Sequence, residues 1–237
     1  MSDIETSVGT GDVGTGEMGT GDGSLYSLTS MNTENRPLYP SLEWTEVSRE
    51  HIIEDEWIDF RRSAYRFPDG TVFSPFYSYS RRDYVVIVPV DEEGRLICVR
   101  QFRQGIGRVT VEFPAGGIER KDGKEYRAGA VSADAAEDTL EAARRELLEE
   151  TGYVSDKWEA MISIPSNATI ADNYAHVFLA KNCRHQCGQA LDDTEFLEVS
   201  VYDRTMVEAM IKDGSFAQAV HVMAWLLAKE RLDRKIP

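Results

Sequence analysis

The rhythm of hydrophobic and polar positions changes several times along this chain. From Trp44 to about Arg82 it is β-like: residues 56–67 are rich in aromatics, Pro68-Asp69-Gly70 reads as a turn, and 72–79 form a second run. Two apolar stretches, 84–90 and 96–101, flank Asp91-Glu92-Glu93-Gly94 and predict a hairpin of buried strands, with another strand at 109–113 running into Pro114-Ala115-Gly116-Gly117. Residues 137–153 then switch to helical spacing and stop at Gly152, where a left-handed residue is least strained. Asp138 is placed to cap that helix, and Glu141, three residues on, completes a capping box. Strands follow at 158–164, 175–180 and 195–202. Asp203 is placed to cap a helix ending before Gly214, and Ser215 a last amphipathic helix to about Asp233. One central and two terminal helices among strands predict an α/β fold, a three-layer α/β/α sandwich with a mixed sheet, preceded by a small antiparallel β appendage.

The central helix carries the chemistry. At about 100° per residue, Glu146, Glu149 and Glu150 fall within roughly a 100° arc, while Leu140, Ala143 and Leu147 lie on the neighbouring arc. One flank can pack on a sheet while the other presents carboxylates that repel one another. A bound divalent cation removes that conflict, and ligands made only of oxygen suit Mg²⁺ or Mn²⁺ rather than zinc. The competing explanation is a solvated surface helix in which Arg145 pairs with Glu149 one turn on.

Composition narrows the choice. A net charge of −15 over 237 residues argues against nucleic acid or anionic membrane as a partner, so a phosphate substrate must arrive with cations. No apolar run approaches the length of a membrane span and no basic-then-hydrophobic leader is visible, which makes the cytoplasm the expected location. Three cysteines do not build a disulfide framework. Cys183-Arg184-His185-Gln186-Cys187 has metal-ligand spacing but no second cluster, so a turn between strands is preferred to a zinc site. Residues 1–40 are rich in Gly, Thr, Ser and acids and predict a disordered tail; 41–83 form the appendage and 84–237 the main domain.

The stretch Arg145-Glu146-Leu147-Leu148-Glu149-Glu150-Thr151-Gly152-Tyr153, with Glu137 eight positions before Arg145, resembles the Nudix box, G-x5-E-x7-R-E-U-x-E-E-x-G-U with U a bulky apolar residue. Val131 stands where the leading glycine belongs, and the matching glycine is Gly116. The loop before the helix, 118–136, is therefore read as containing a fifteen-residue insertion. Val99-Arg100-Gln101-Phe102-Arg103, Val111-Glu112-Phe113-Pro114-Ala115-Gly116-Gly117, the appendage, the strand at 175–180 and Glu195-Phe196-Leu197-Glu198-Val199 are similar to the ADP-ribose or ADP-sugar pyrophosphatase branch of the Nudix hydrolases.

That resemblance implies Mg²⁺-dependent hydrolysis of a nucleoside diphosphate sugar at its pyrophosphate, giving AMP and a sugar phosphate from an ADP-sugar. It implies metal ligands at Glu146, Glu149, Glu150 and the Ala115 carbonyl, with Arg145 and Glu149 in the catalytic set and Gly117 on the substrate side. Arg103 matches a phosphate-holding arginine, the alternative being a surface salt bridge. In place of the glutamate that many relatives carry before the 175–180 strand, this chain has Ala171-Asp172-Asn173-Tyr174, and asparagine cannot take the proton. Glu195 matches the other position used as general base. Trp57 matches an aromatic that sandwiches adenine, with Phe76 or Tyr77 as a second face; appendage core is the competing role for Trp57. The branch also implies a homodimer with shared active sites. Another nucleotide sugar such as GDP-mannose is the close alternative substrate. A non-catalytic sensor of ADP-ribose is disfavoured because the box acids are all retained.

Overall fold

The computed structural model describes residues 42–119 and 137–234; the expected tail and most of the insertion lie outside them. Three antiparallel strands come first: β1 (Thr45–Glu54), β2 (Asp59–Arg66) and β3 (Val72–Ser80), paired in that order. β1 is polar along most of its length and shows little alternation, so the sequence pattern did not single it out. Trp44, Tyr65, Phe67, Phe73 and Phe76 pack together here, with ring centroids 4.5 to 6.5 Å apart.

The second sheet has eight strands: β4 (Tyr84–Asp91), β5 (Leu96–Arg103), β6 (Arg108–Glu112), β7 (Ala115–Gly117), β8 (Tyr153–Val154), β9 (Lys157–Pro165), β10 (Tyr174–His185) and β11 (Leu197–Tyr202). Its spine runs β11-β5-β4-β10-β8, with β6 on β5, β7 on β4 and β9 on β10. β10 and β4 are parallel and their other pairings antiparallel, which makes the sheet mixed. Period-two alternation along β4 sends Val85 and Ile87 to one face and Val86, Val88 and Val90 to the other. The first face meets α1 (Thr139–Thr151) through Ala142, Ala143 and Leu147. The second is covered by α2 (Arg204–Asp213) and α3 (Ala219–Asp233) through Val207, Met210, Ala224, Trp225 and Ala228. This is the expected α/β/α sandwich.

One helix boundary and one cap differ from expectation. α3 starts at Ala219 rather than after Ser215, because Ser215 is held in the link: its hydroxyl bonds to Asp213 at 2.7 Å and its carbonyl accepts from Val111 N–H at 3.1 Å. Asp203 occupies the N-cap position of α2 but makes no side-chain cap bond. The two sheets are joined at Tyr79, which bridges to Ala171, and at Asp172, whose carboxylate accepts from Arg61 at 2.9 Å and from Ser80 at 2.5 Å. No helix among the described residues is long and apolar enough to cross a membrane.

Candidate active site

α1 begins where Asp138 accepts from the N–H groups of Leu140 and Glu141 at 3.0 and 3.4 Å. The expected return arm of the capping box is absent: Glu141 pairs instead with Arg144 on the solvent side at 2.9 Å. The helix ends at Gly152 with φ 73°, and a Cβ there would overlap the Cys187 carbonyl. Cys187 thus enters the fold through its backbone, which accompanies Gln186 in bonding the Gly152 carbonyl. Cys183 is buried in β10, its thiol pushed up to about 12 by burial, and among the described residues it belongs to no metal-capable group.

Arg145 ties the helix to the preceding loop. Its guanidinium donates to Glu137 at 3.1 Å, Glu146 at 2.8 Å, Glu149 at 3.0 Å and the Gly117 carbonyl at 2.9 Å. Burial works against its charge, but the Glu137 bond and the Glu146 charge hold its pKa well above the ordinary arginine value. Glu119 and Glu137 close the neck of the insertion, Glu137 N–H bonding to the Glu119 carbonyl at 2.8 Å. Gly116 lies so close to α1 that a Cβ would overlap the Glu146 carboxyl, which explains a glycine at this point of β7.

Glu146, Glu150 and Glu195 bring one carboxylate oxygen each within 4.8 Å of one another. Glu146 and Glu150 reach this point from α1, and Glu195 from the turn before β11. The expected ligand Glu149 stands apart from this group; its carboxylate is 39% exposed and bonded to Arg145. Ala115 is beside the cluster, donating its N–H to Glu150 at 3.0 Å. Burial pushes the Glu146 carboxyl up to about 7, with Arg145 opposing, and pushes Glu150 well above the usual carboxylate range, reinforced by Glu146. Three converging oxygen donors, two of them buried and reluctant to ionise together, fit a hard divalent cation.

On the strand side, Arg103 grips Glu112, a carboxylate with no exposed surface. The acid of this pair is fully buried while the Arg103 side chain is 33% exposed, so the pair is more than the surface salt bridge expected as the alternative role of Arg103. Burial opposes ionisation of Glu112, but the Arg103 bond outweighs it and holds the pKa below the usual value. Behind it, His221 of α3 accepts from Phe113 N–H at 3.1 Å and is lowered by burial to about 4, so it stays neutral and anchors the chain entering β7. Sequence reasoning assigned no role to Glu112 or His221. The available signal was an acid inside the apolar run Val111-Glu112-Phe113.

Trp57 sits at the tip of the β1–β2 turn, 60% exposed, its N–H bonded to Asp55, so it is not core. Phe76 is half-buried in the aromatic cluster, while Tyr77 is exposed and stacks on Phe60 at 5.7 Å. Asp172 is engaged by Arg61 and Ser80, and Asn173 donates to the Arg82 carbonyl at 3.2 Å. The loop that carries a glutamate in many relatives therefore braces the two sheets here.

Residues 80–226 match the family model described as NUDIX domain. The chain belongs to the NUDIX family. It is 32% identical over 197 residues to the ADP-ribose pyrophosphatase of Bacillus subtilis (strain 168), spanning 81% of this chain and 97% of that protein. It is 30% identical over 168 residues to the ADP-sugar pyrophosphatase of Mus musculus, spanning 65% and 70% of the two chains. A crystal structure of an ADP compounds hydrolase shares the fold with a TM-score of 0.66 at 20% identity, covering 80% of this chain and 94% of that one. NUDIX hydrolases generally use divalent metals, and the three glutamates form a group that could hold one.

Proposed function

We propose that this NUDIX chain hydrolyses the pyrophosphate bond of ADP-ribose or a related ADP-sugar, releasing AMP and a sugar phosphate, with Mg²⁺ as its metal. The observation that carries this reading is the convergence of Glu146, Glu150 and Glu195 beside the Ala115 backbone, in a chain similar over nearly the whole length of an ADP-ribose pyrophosphatase. Glu146 and Glu150 hold the metal, with the Ala115 carbonyl as a further ligand. Bound there, Mg²⁺ neutralises charge building on the diphosphate oxygens and acidifies nearby water.

Glu195 is the general base. Its Oε2 accepts from Asp192 N–H at 3.2 Å, which fixes the carboxylate and leaves the other oxygen to take a proton from water. Glu149 and Arg145 act by position: the arginine locks the Gly117 carbonyl to α1, and Glu149 orients the arginine. Arg103 holds a phosphate with the edge of its guanidinium that Glu112 leaves open. The exposure of Trp57 supports its stacking on adenine, with Tyr77 as the second face. The appendage, whose three strands span residues 45–80, serves dimerisation, and the protein works as a homodimer.

The test is a panel of nucleotide sugars and dinucleotides assayed with Mg²⁺, products identified by mass. ADP-sugars are expected to give AMP and the sugar phosphate, and Glu150→Gln to lose turnover by roughly 10³-fold or more. Preference for a guanine nucleotide sugar would remove the substrate assignment, and near-normal rates in Glu150→Gln the metal assignment.

A further inference from the structure

Glu112 takes no part in the chemistry proposed above, yet it places a fully buried carboxylate directly beside Arg103. Its oxygens accept from Arg103 Nε at 2.9 and 3.0 Å, from Arg103 Nη2 at 2.5 Å, from the Thr110 hydroxyl, and from Gln101 Nε2 at 3.5 Å. The grip is on the Nε/Nη2 side of the guanidinium, which leaves Nη1 and one hydrogen of Nη2 for another acceptor. The Arg103 side chain is 33% exposed, so an edge of it reaches solvent. Arg103 and Glu150 also feel each other's charge. An untethered arginine on a flexible stem is drawn toward Glu150, whose charge it already feels, and competes with any metal held by the group that Glu150 forms with Glu146 and Glu195.

We infer that Glu112 is a positioning residue: it tethers Arg103 at the rim of the site, one guanidinium edge turned to a substrate phosphate and the whole group held off the metal-binding acids. The inference rests on the reading of Arg103 as a phosphate-holding group in an ADP-sugar hydrolase. Thr110 completes the tether by holding the Glu112 carboxylate in its orientation.

The test compares Glu112→Gln, Arg103→Ala and the double variant in the full chain, by kcat and KM for ADP-ribose and by Mn²⁺ binding to the substrate-free protein followed by electron paramagnetic resonance. Glu112→Gln is expected to raise KM roughly tenfold with kcat changed by less than about threefold, and to weaken Mn²⁺ binding by roughly threefold or more. In the Arg103→Ala background it is expected to change kcat/KM no further, and Mn²⁺ binding returns to the wild-type value, because nothing remains to be tethered. A purely structural role gives additive losses and no recovery of Mn²⁺ binding, which overturns the inference, as does an unchanged KM and Mn²⁺ affinity in Glu112→Gln. If Glu112→Gln does not fold, Thr110→Val is expected to show the same pattern at roughly two- to threefold, and wild-type values there overturn it. If Arg103→Ala alone has wild-type kcat/KM, the phosphate-holding reading fails, while the Mn²⁺ measurements still report on the tether.

Discussion

Two of the carboxyls gathered at the site are buried where folding alone does not favour their charge. Glu146 is 5% exposed and titrates at about 7, above its ordinary value near 4.5, chiefly because burial penalises the carboxylate. A raised folded pKa means that the group's contribution to stability is complete below the unfolded pKa and is lost as pH rises through the folded one. The metal-free protein therefore gives up stability between about pH 4.5 and 7, and Glu146→Gln, which has no charge to bury, escapes that loss. Thermal melts without metal are expected to show Glu146→Gln more stable than wild type at pH 8, by up to about 3 kcal/mol, with the gap closing at pH 4. The same variant loses turnover with Mg²⁺. Equal melting temperatures at pH 8 would mean that the acid is satisfied without a cation. Glu149 differs from its two neighbours because it lies one turn from Arg145, and the i, i+4 ion pair spends its charge at the surface.

At the level of elements, α1 was legible because three local signals agree: the Asp138 cap, the apolar stripe of Ala143 and Leu147, and the stop at Gly152. Gly152 is more than a stop. It combines φ 73° with a backbone neighbour, the Cys187 carbonyl, that would overlap a Cβ, whereas Gly214, φ 80°, ends α2 with open space where its Cβ would stand. Gly214→Ala is expected to cost about 1 kcal/mol for the left-handed conformation alone, and Gly152→Ala at least about 2 kcal/mol because the strand end must also move. Urea unfolding of the two variants measures the difference; equal losses would show that the close approach is relieved freely. What stayed illegible depended on distant partners. β7 and β8 are three and two residues long and owe their assignment to pairing with β4 and β10. Glu112 and His221 are 109 positions apart and acquire meaning only when α3 lies against the sheet. Asp172, to which sequence reasoning assigned no role, acquires one only when Arg61, 111 residues away, bonds to it. Glu195, by contrast, was found through its local motif and does reach the box acids.

For the whole molecule, the three-stranded sheet poses a problem of apolar surface. Val47, Ile52, Ile53, Trp57, Val72 and Phe73 are between 46% and 60% exposed on it. A second group, Phe102, Ile106, Val109 and Phe196, is exposed at the end of the larger sheet next to Glu195, with Phe196 at 95%. Phe102 and Val109 are direct cross-strand partners, so part of this second group forms a row rather than scattered singles. Pairing with a second copy covers such surfaces, and a stable interface needs about 1,000 Å² or more in total. The full chain is therefore expected to run as a dimer in light scattering at micromolar concentration, and Ile53→Glu combined with Phe73→Glu to shift it to monomer. Because Trp57 sits on the turn that joins β1 and β2 of the same sheet, the monomeric variant is also expected to lose kcat/KM for ADP-ribose by about tenfold or more, mainly through KM, while still binding metal. A monomer with wild-type kinetics would detach the site from the dimer and return each active site to a single chain; a wild-type protein that is itself monomeric would leave the exposed aromatic tip to serve the substrate alone.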